Sequence, residues 1–290
     1  ELQQKFIEIA VSGNCQILYL TGVAGSGKTE VILHIMKQLK GRVQACASTG
    51  IAARNLNAPT LHGMLGLSMT DCSNSEMRID TSSNKCRDNA IMYENTEVFI
   101  IDEVNMLPAH VLGFVEELMT KSFNPKLKKH NNRLLPFGGK RVILVGDPAQ
   151  LPPVDGKPFY IASNATPSTK RYNDLKLERE EKGLQIYLDY MRTNVTVLQR
   201  SHRNMGLLAE IANSLRKGTQ SRDELDKLQL QYKRHPNALP DRGIHYTNES
   251  AAMYNFTDLY RYSQLHDKRI FVCKASYFET ENKIPRFVTT

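Results

Sequence analysis

The run GVAGSGKT, Gly22 to Thr29, directly follows the apolar stretch Ile17 to Leu20 and precedes a segment whose apolar residues recur with helical spacing. A strand that feeds a glycine-rich loop into a helix commits the chain to an α/β arrangement, with the loop at the carboxyl edge of a parallel sheet. Gly22, Gly25 and Gly27 let the backbone approach a polyanion, and successive N–H groups with a helix N-terminus cradle its charge. The spacing of Gly22, Gly27, Lys28 and Thr29 is that of a phosphate-binding loop, with Ser26 in the same nucleotide-binding set. Lys28 is expected to meet the β- and γ-phosphates, and Thr29 to ligate Mg²⁺.

Short apolar runs alternate with helical patterns through the first half: Ile17 to Leu20, Val31 to Leu39, Val43 to Ala47, Val98 to Ile101 and Val142 to Val145. This alternation predicts a parallel sheet covered by helices. Between Pro108 and Lys121, the residues Val111, Leu112, Val115, Leu118 and Met119 share one helical face, which predicts a surface helix packed on the sheet with Pro108 in its first turn. Two polar stretches interrupt the pattern, at 68–95 and 164–182. The first, rich in Ser, Asn and Asp, reads as a surface insertion; the second, ending in Glu178, Arg179, Glu180, Glu181 and Lys182, reads as a solvated loop or exposed helix. Further on, Leu207, Leu208, Ile211 and Leu215 repeat at helical spacing before a C-capping Gly218. A first domain over 1–194 and a second from 195 to 290 are expected. In the latter, Asn248 or Ser250 caps a helix carrying Met253, Phe256 and Tyr260, followed by a strand at Arg269 to Val272.

A length of 290 residues suits about two domains. The net charge of +8 favours polyanionic partners. No apolar run approaches the ~18 residues of a membrane span, and no charged n-region with an apolar core opens the chain. The chain reads as intracellular and without a membrane partner. Since it begins at Glu1, it is expected to be a fragment from which a targeting segment could have been removed. Cys15, Cys46, Cys72, Cys86 and Cys273 match neither a disulfide framework nor a zinc site and read as reduced thiols. The histidines lack metal-ligand spacing, so no structural metal is expected.

A phosphate-binding loop alone does not separate a kinase, a GTPase and a motor, so the acidic residues downstream decide more. The strand Val98 to Ile101 ends in Asp102 and Glu103, at the sheet edge where the loop also sits. Asp102 is placed to hold Mg²⁺ through water, and Glu103 to orient and activate the attacking water. A third strand, Arg141 to Val145, runs into GDPAQLPPV, Gly146 to Val154. Gln150 both donates and accepts hydrogen bonds, so it suits detection of a γ-phosphate and its relay to a second site, in a turn stiffened by Pro152 and Pro153.

Taken in order, GVAGSGKT, ASTGIAA (Ala47 to Ala53), TLHG (Thr60 to Gly63), IIDEVNM (Ile100 to Met106) and FGGKRVILVGDPAQLPPV (Phe137 to Val154) resemble the PIF-type (petite integration frequency) DNA helicases of superfamily one, class B, with RecD a more distant relative. The resemblance covers about residues 1–205. It implies a RecA-like sheet with helices on both faces plus the start of a second RecA-like domain. It also implies ATP and Mg²⁺ as cofactors, and 5′ to 3′ translocation on single-stranded DNA with unwinding at duplex junctions, by a monomer, in replication, repair, recombination or telomere maintenance. For a eukaryotic chain the nucleus is the expected setting, with mitochondrial, viral and mobile-element settings left open.

The resemblance also implies roles. Gln3 or Gln4 reads adenine, with register favouring Gln3. Thr49 and Gly50, with the Thr60 hydroxyl and the His62 ring, grip the phosphates, sugars or bases of single-stranded DNA without reading sequence. Arg203, in LQRSHRN, matches the arginine that the family places in its second domain, pointing across the cleft at the γ-phosphate, where a guanidinium neutralises developing charge; Arg200 is the alternative. Lys121, Lys126, Lys128, Lys129, Arg133, Lys140 and Arg141 form a basic stretch without an acid, either a further phosphate path or a solvated loop. The family's later motifs are not found before Thr290, so the chain looks like the front of a helicase core. The other readings are a P-loop kinase or GTPase and a non-catalytic nucleic-acid-binding module with a vestigial ATP site.

Overall fold

Strands buried on both faces must be apolar throughout, and the runs Ile17 to Leu20, Val98 to Ile101 and Val142 to Val145 do form such strands. The computed structural model describes residues 1–68, 71, 78–123, 129–130, 133–161, 175–203, 206–234, 247–269, 275–278 and 286–289. In chain order these form α1 (Leu2–Ser12), β1 (Ile17–Gly22), α2 (Lys28–Gln38), β2 (Val43–Ala47), α3 (Gly50–Asn55), α4 (Leu61–Leu65), α5 (Asn84–Met92), β3 (Val98–Asp102), α6 (Ala109–Phe123), β4 (Lys129–His130), β5 (Arg133–Leu134), β6 (Arg141–Val145), α7 (Leu175–Ile186), β7 (Val195–Leu198) and α8 (Leu207–Lys217). A compact unit spans Glu1–Ser221 and a second spans Arg222–Thr290.

The first unit is built on a five-stranded sheet in the order β2-β3-β6-β1-β7, parallel throughout. Its register pairs Ile17 with Val142, Tyr19 with Val195, Val43 with Val98 and Val98 with Arg141. Side-chain alternation splits the core in two. Ile17, Tyr19, Phe99, Ile101, Val142 and Leu144 join Leu112, Val115, Leu118 and Met119 of α6 on one face. Leu18, Leu20, Val98, Ile100, Ile143 and Val145 join Phe6, Ile7 and Ala10 of α1 and Val31, Ile32 and Ile35 of α2 on the other. Each such aliphatic or aromatic side chain contributes about 1.5–3 kcal/mol on full burial.

Several expectations change here. Helix α6 is not a surface helix: Leu112, Phe114, Val115, Leu118 and Met119 are all completely buried, because α7 covers the face turned away from the sheet. The two helices meet backbone to backbone. A Cβ at Gly113 would lie 2.1 Å from the Arg179 carbonyl oxygen, and one at Gly183 would lie 2.2 Å from that of Ala109. The charged run of α7 is therefore not solvated as a whole. Arg179 is buried, donates to Glu117 at 3.1 Å and lies over the Phe114 ring at 4.5 Å, while Lys182 pairs with Glu116. Residues 164–174 of that stretch lie outside the described residues.

Within the other polar stretch, residues 69–70 and 72–77 also lie outside the described residues. The rest packs on the core: Ile79, Cys86, Asn89 and Tyr93 are buried, and the Tyr93 hydroxyl donates to the Met64 carbonyl at 2.7 Å. The strand at Val195, where a second domain was expected to open, is instead the fifth strand of the first sheet, since its partner β1 has an otherwise open edge. The compact units divide after Ser221.

In the second unit, α9 (Arg222–Arg234), α10 (Asn248–His266) and an antiparallel pair, β8 (Ala275–Phe278) with β9 (Arg286–Thr289), are described. Thr247, not Asn248 or Ser250, is the N-cap of α10; Ser250 returns the bond from the third helical position as a capping box. Met253, Phe256 and Tyr260 are exposed. The strand expected at Arg269 to Val272 falls almost wholly outside the described residues. No described helix is long and apolar enough to cross a membrane, and Cys15, Cys46 and Cys86 are free thiols.

Candidate functional site

Strand β1 ends at Gly22 and α2 begins at Lys28, so the glycine-rich loop turns at the carboxyl edge of the sheet. Gly25 takes φ +74°, and a Cβ there would also stand 2.5 Å from the Cβ of Arg203; both facts require glycine. Lys28 Nζ donates to the carbonyls of Gly22 (2.8 Å) and Val23 (3.3 Å). Burial lowers its pKa from the ordinary lysine value, opposed by Asp147, Glu103 and Asp102. Ser26 is buried, with its hydroxyl lacking a hydrogen-bond partner among the described residues. Gln3 reaches the loop from α1, its amide donating to the Ser26 carbonyl at 2.9 Å. Gln4 turns away and donates to Glu8 at 3.2 Å.

Asp102 closes β3 as a buried carboxyl. Burial pushes its pKa up to about 6, although the Glu103 backbone N–H donates to it at 2.9 Å. Glu103 follows at φ 53°, in the left-handed region, which costs a residue with a Cβ on the order of 1–3 kcal/mol. Ser48 holds that turn: its hydroxyl donates to the Glu103 carbonyl (2.7 Å) and its N–H to the Asp102 carbonyl (3.0 Å). The left-handed turn places Glu103 on the wall of a cleft of about 420 Å³, together with the loop from Ala24 to Glu30, Gln150, His202 and Arg203. Burial raises the Glu103 pKa, with Lys28 acting the other way.

Arg203 arrives by a route that sequence reading did not anticipate. The segment after β7 pairs with the loop itself: Val23 N–H donates to the Leu198 carbonyl (3.1 Å), Ser201 Oγ to the Ala24 carbonyl (3.0 Å) and His202 N–H to the Gly25 carbonyl (2.8 Å). Arg203 thus reaches the cleft from within the same compact unit as the loop, and not from a second domain. Arg200 is not among the lining residues.

A second concavity, of about 710 Å³, runs alongside. Thr49, Ile51, Met106, Leu151 and Pro152 line it, and it shares Glu103 and Gln150 with the cleft. Thr49 caps α3, accepting from the Ala52 N–H at 3.3 Å, and Gly50 is the exposed first residue of that helix. Thr60 caps α4, accepting from the Gly63 N–H at 3.2 Å, and is bridged to Ala47. Thr60 and His62 do not line the groove. Burial lowers the His62 pKa, with Asp71 opposing.

The basic stretch is largely engaged elsewhere where it is described. Lys121 donates to the Ile79 carbonyl (2.7 Å) and to Glu117 (2.8 Å), Lys140 to the Thr96 carbonyl (2.6 Å), and Arg141 to the Ala10 carbonyl (3.1 Å) and Glu97 (3.1 Å). Lys126 and Lys128 lie outside the described residues, as do the side chains of Lys129 and Arg133.

A family model described as PIF1-like helicase matches residues 1–221. The chain belongs to the PIF1-like helicase family. Among its relatives, the ATP-dependent DNA helicase Pif1 of Psychrobacter sp. (strain PRwf-1) is 35% identical over 143 residues, which is 48% of this chain and 20% of the relative. The ATP-dependent DNA helicase PIF1 of Emericella nidulans is 33% identical over 160 residues, 53% of this chain and 20% of the relative. The chain thus spans about a fifth of the curated relatives it matches. Its fold is that of the Bacteroides Pif1 helicase solved with ADP-AlF3 and ssDNA, at a TM-score of 0.62 and 22% identity, over 99% of this chain and 62% of that one.

In this PIF1-like helicase chain, sequence reading missed two residues beside the cleft. Asp147 stands two residues past the end of β6, with Gly146 between, and has no solvent exposure. Arg216, on α8, forms an ion pair with it; nothing local in the sequence marks an arginine whose partner lies 69 positions earlier.

Proposed function

We propose that this chain carries the nucleotide- and single-stranded-DNA-binding part of an ATP-dependent DNA helicase, whose hydrolysis drives 5′ to 3′ translocation and unwinding at duplex junctions. The observation that carries the reading is the convergence of Lys28, Glu103, Gln150 and Arg203 on one cleft, with Gln3 over the loop. Lys28 and Arg203 there neutralise charge on a γ-phosphoryl group, and Glu103 orients and accepts a proton from the attacking water. Gln3, placed beyond Gly27, suits contact with the base; the orphaned Ser26 hydroxyl suits a phosphate oxygen.

The Thr29 hydroxyl and the Asp102 carboxylate are hard oxygen donors that fit Mg²⁺. Among the described residues no group of three His, Cys, Asp or Glu side chains suits a metal. Such a donor set matches an ion held by one or two protein oxygens and otherwise by phosphate and water. Bound there, Mg²⁺ would offset phosphate charge. The groove holding Thr49, with Gly50 at the start of α3, offers backbone N–H groups and the apolar Ile51 and Leu151 to a phosphate backbone and its bases. Thr60 and His62 would extend that path on α4, and residues after Ser221 would begin the second RecA-like domain.

The test is ATP turnover by the full chain with and without a single-stranded oligonucleotide. DNA is expected to stimulate hydrolysis, and Lys28→Ala to lose nucleotide binding. Glu103→Gln is expected to keep nucleotide binding while turnover falls by about 10²-fold or more. Turnover indifferent to DNA, or a Glu103→Gln variant as active as wild type, would sink the reading.

A further inference from the structure

A carboxylate with no solvent exposure requires a counter-charge and hydrogen bonds, because desolvating an ion costs several kcal/mol unless both are supplied. Asp147 has both. Arg216 Nη1 pairs with its Oδ2, the Gln150 amide donates to that same oxygen at 3.2 Å, and the Ala149 N–H donates to Oδ1 at 3.1 Å. Its own N–H donates to Asn105 Oδ1 at 3.0 Å, in the turn that follows Glu103. One buried residue therefore ties together the loop after β6 and helix α8 through its carboxylate and the turn after β3 through its backbone N–H.

Arg216 and Asp147 both line a cavity of about 170 Å³, to which α8 also contributes Ala209, Ala212 and Asn213. Positions 209, 212 and 216 fall on one face of α8, so small side chains leave room for the long one. A guanidinium suits this place: it is always charged, and its planar fork fixes the direction of the acceptor it binds.

Gln150 occupies a singular position. Among the described residues it is the one that lines the nucleotide cleft, the cavity under α8 and the neighbouring groove together. Its side chain is held through its amide group by Asp147, whose own orientation Arg216 sets.

We propose that Arg216 is a positioning residue for coupling: through Asp147 it holds Gln150 where the nucleotide cleft and the single-stranded-DNA groove meet, so that occupancy of one is felt in the other. This rests on the nucleotide and DNA reading given above. Removing the guanidinium leaves Asp147 as a lone buried charge near Lys28 and releases the acceptor that fixes Gln150. Each ligand still meets its own contacts, but the link between them is lost.

The test measures binding of a fluorescein-labelled oligothymidylate to the full chain by anisotropy, with and without Mg²⁺ and AMP-PNP, and of AMP-PNP alone by calorimetry. In the wild type, AMP-PNP is expected to change DNA affinity by about fivefold or more. Arg216→Gln is expected to bind each ligand alone within about threefold of wild type while the coupling factor falls to about one, and Arg216→Lys to keep part of the coupling. The double variant Asp147→Asn/Arg216→Gln leaves no lone buried charge, so it should fold even where the single variant does not, and should still lack coupling. Wild-type coupling in either Gln-bearing variant overturns the proposal. So does an absence of coupling in the wild type, or a parallel loss of both affinities in the double variant, which would mark the pair as a brace. Lys28→Ala reports separately on the parent reading: if it binds AMP-PNP as tightly as wild type, the nucleotide assignment fails whatever Arg216 does.

Discussion

Asp102 carries a proton more readily than an ordinary aspartate because the strand that delivers it is buried on both sides, and its pKa stands at about 6 against 3.8 for the free side chain. Between those values the folded state binds more protons than the unfolded one. The contribution of this group to stability is therefore largest below the unfolded pKa and is lost as pH rises through about 6. Mg²⁺ needs the ionised form, so the sign reverses for ligand binding. Affinity for Mg²⁺ with AMP-PNP is expected to fall as pH drops below about 6, and Asp102→Asn to bind more weakly at neutral pH with a flatter profile. Calorimetric titrations across that range check it; an unchanged slope in Asp102→Asn would assign the pH dependence elsewhere. The place of Asp102 and Glu103 was legible as an apolar strand ending in two acids. The left-handed turn that aims Glu103 was not, because Ser48, which holds it, comes from a different strand end.

At the scale of elements, the strands buried on both faces were readable; the half-exposed β7 and the helix partners were not. A parallel strand buried on both faces is a continuous apolar run, visible without knowing its neighbours. Helix α7 is the opposite case: its composition is that of a solvated helix, and only Glu116 and Glu117, some sixty residues earlier, give the buried Arg179 and the half-exposed Lys182 their partners. The glycines at the α6–α7 contact give a direct check. Gly113→Ala gains about 1 kcal/mol of helix propensity, but its Cβ would meet a backbone oxygen at 2.1 Å. A backbone atom cannot rotate aside, so overpacking of about 1–3 kcal/mol is expected to win. Thermal melts should show Gly113→Ala lowered by a few degrees, at about 2–4 °C per kcal/mol. Gly50→Ala, with nothing within 4 Å, should melt like wild type. Equal melting of the two variants would mean that the helices do not touch through Gly113.

For the whole molecule, the division after Ser221 leaves Gln3, the glycine-rich loop, Asp102, Glu103, Gln150, Arg203 and Arg216 in one unit. A chain ending at Ser221 is accordingly expected to fold and to bind AMP-PNP within about threefold of the full chain; a truncated chain that folds but fails to bind would move part of the nucleotide site beyond residue 221. The sheet order also has a consequence for synthesis. Strand β1 is made first yet lies between β6 and β7, with Ile17 pairing Val142 and Tyr19 pairing Val195. At about 5–20 residues per second, β1 waits roughly 6–25 s after emergence for one neighbour and roughly 9–35 s for the other. Until the first neighbour emerges the strand leading into the glycine-rich loop is an apolar segment with two open edges, and until the second it keeps one, so the same placement that centres it in the finished sheet makes it the nascent chain's longest-standing claim on a chaperone.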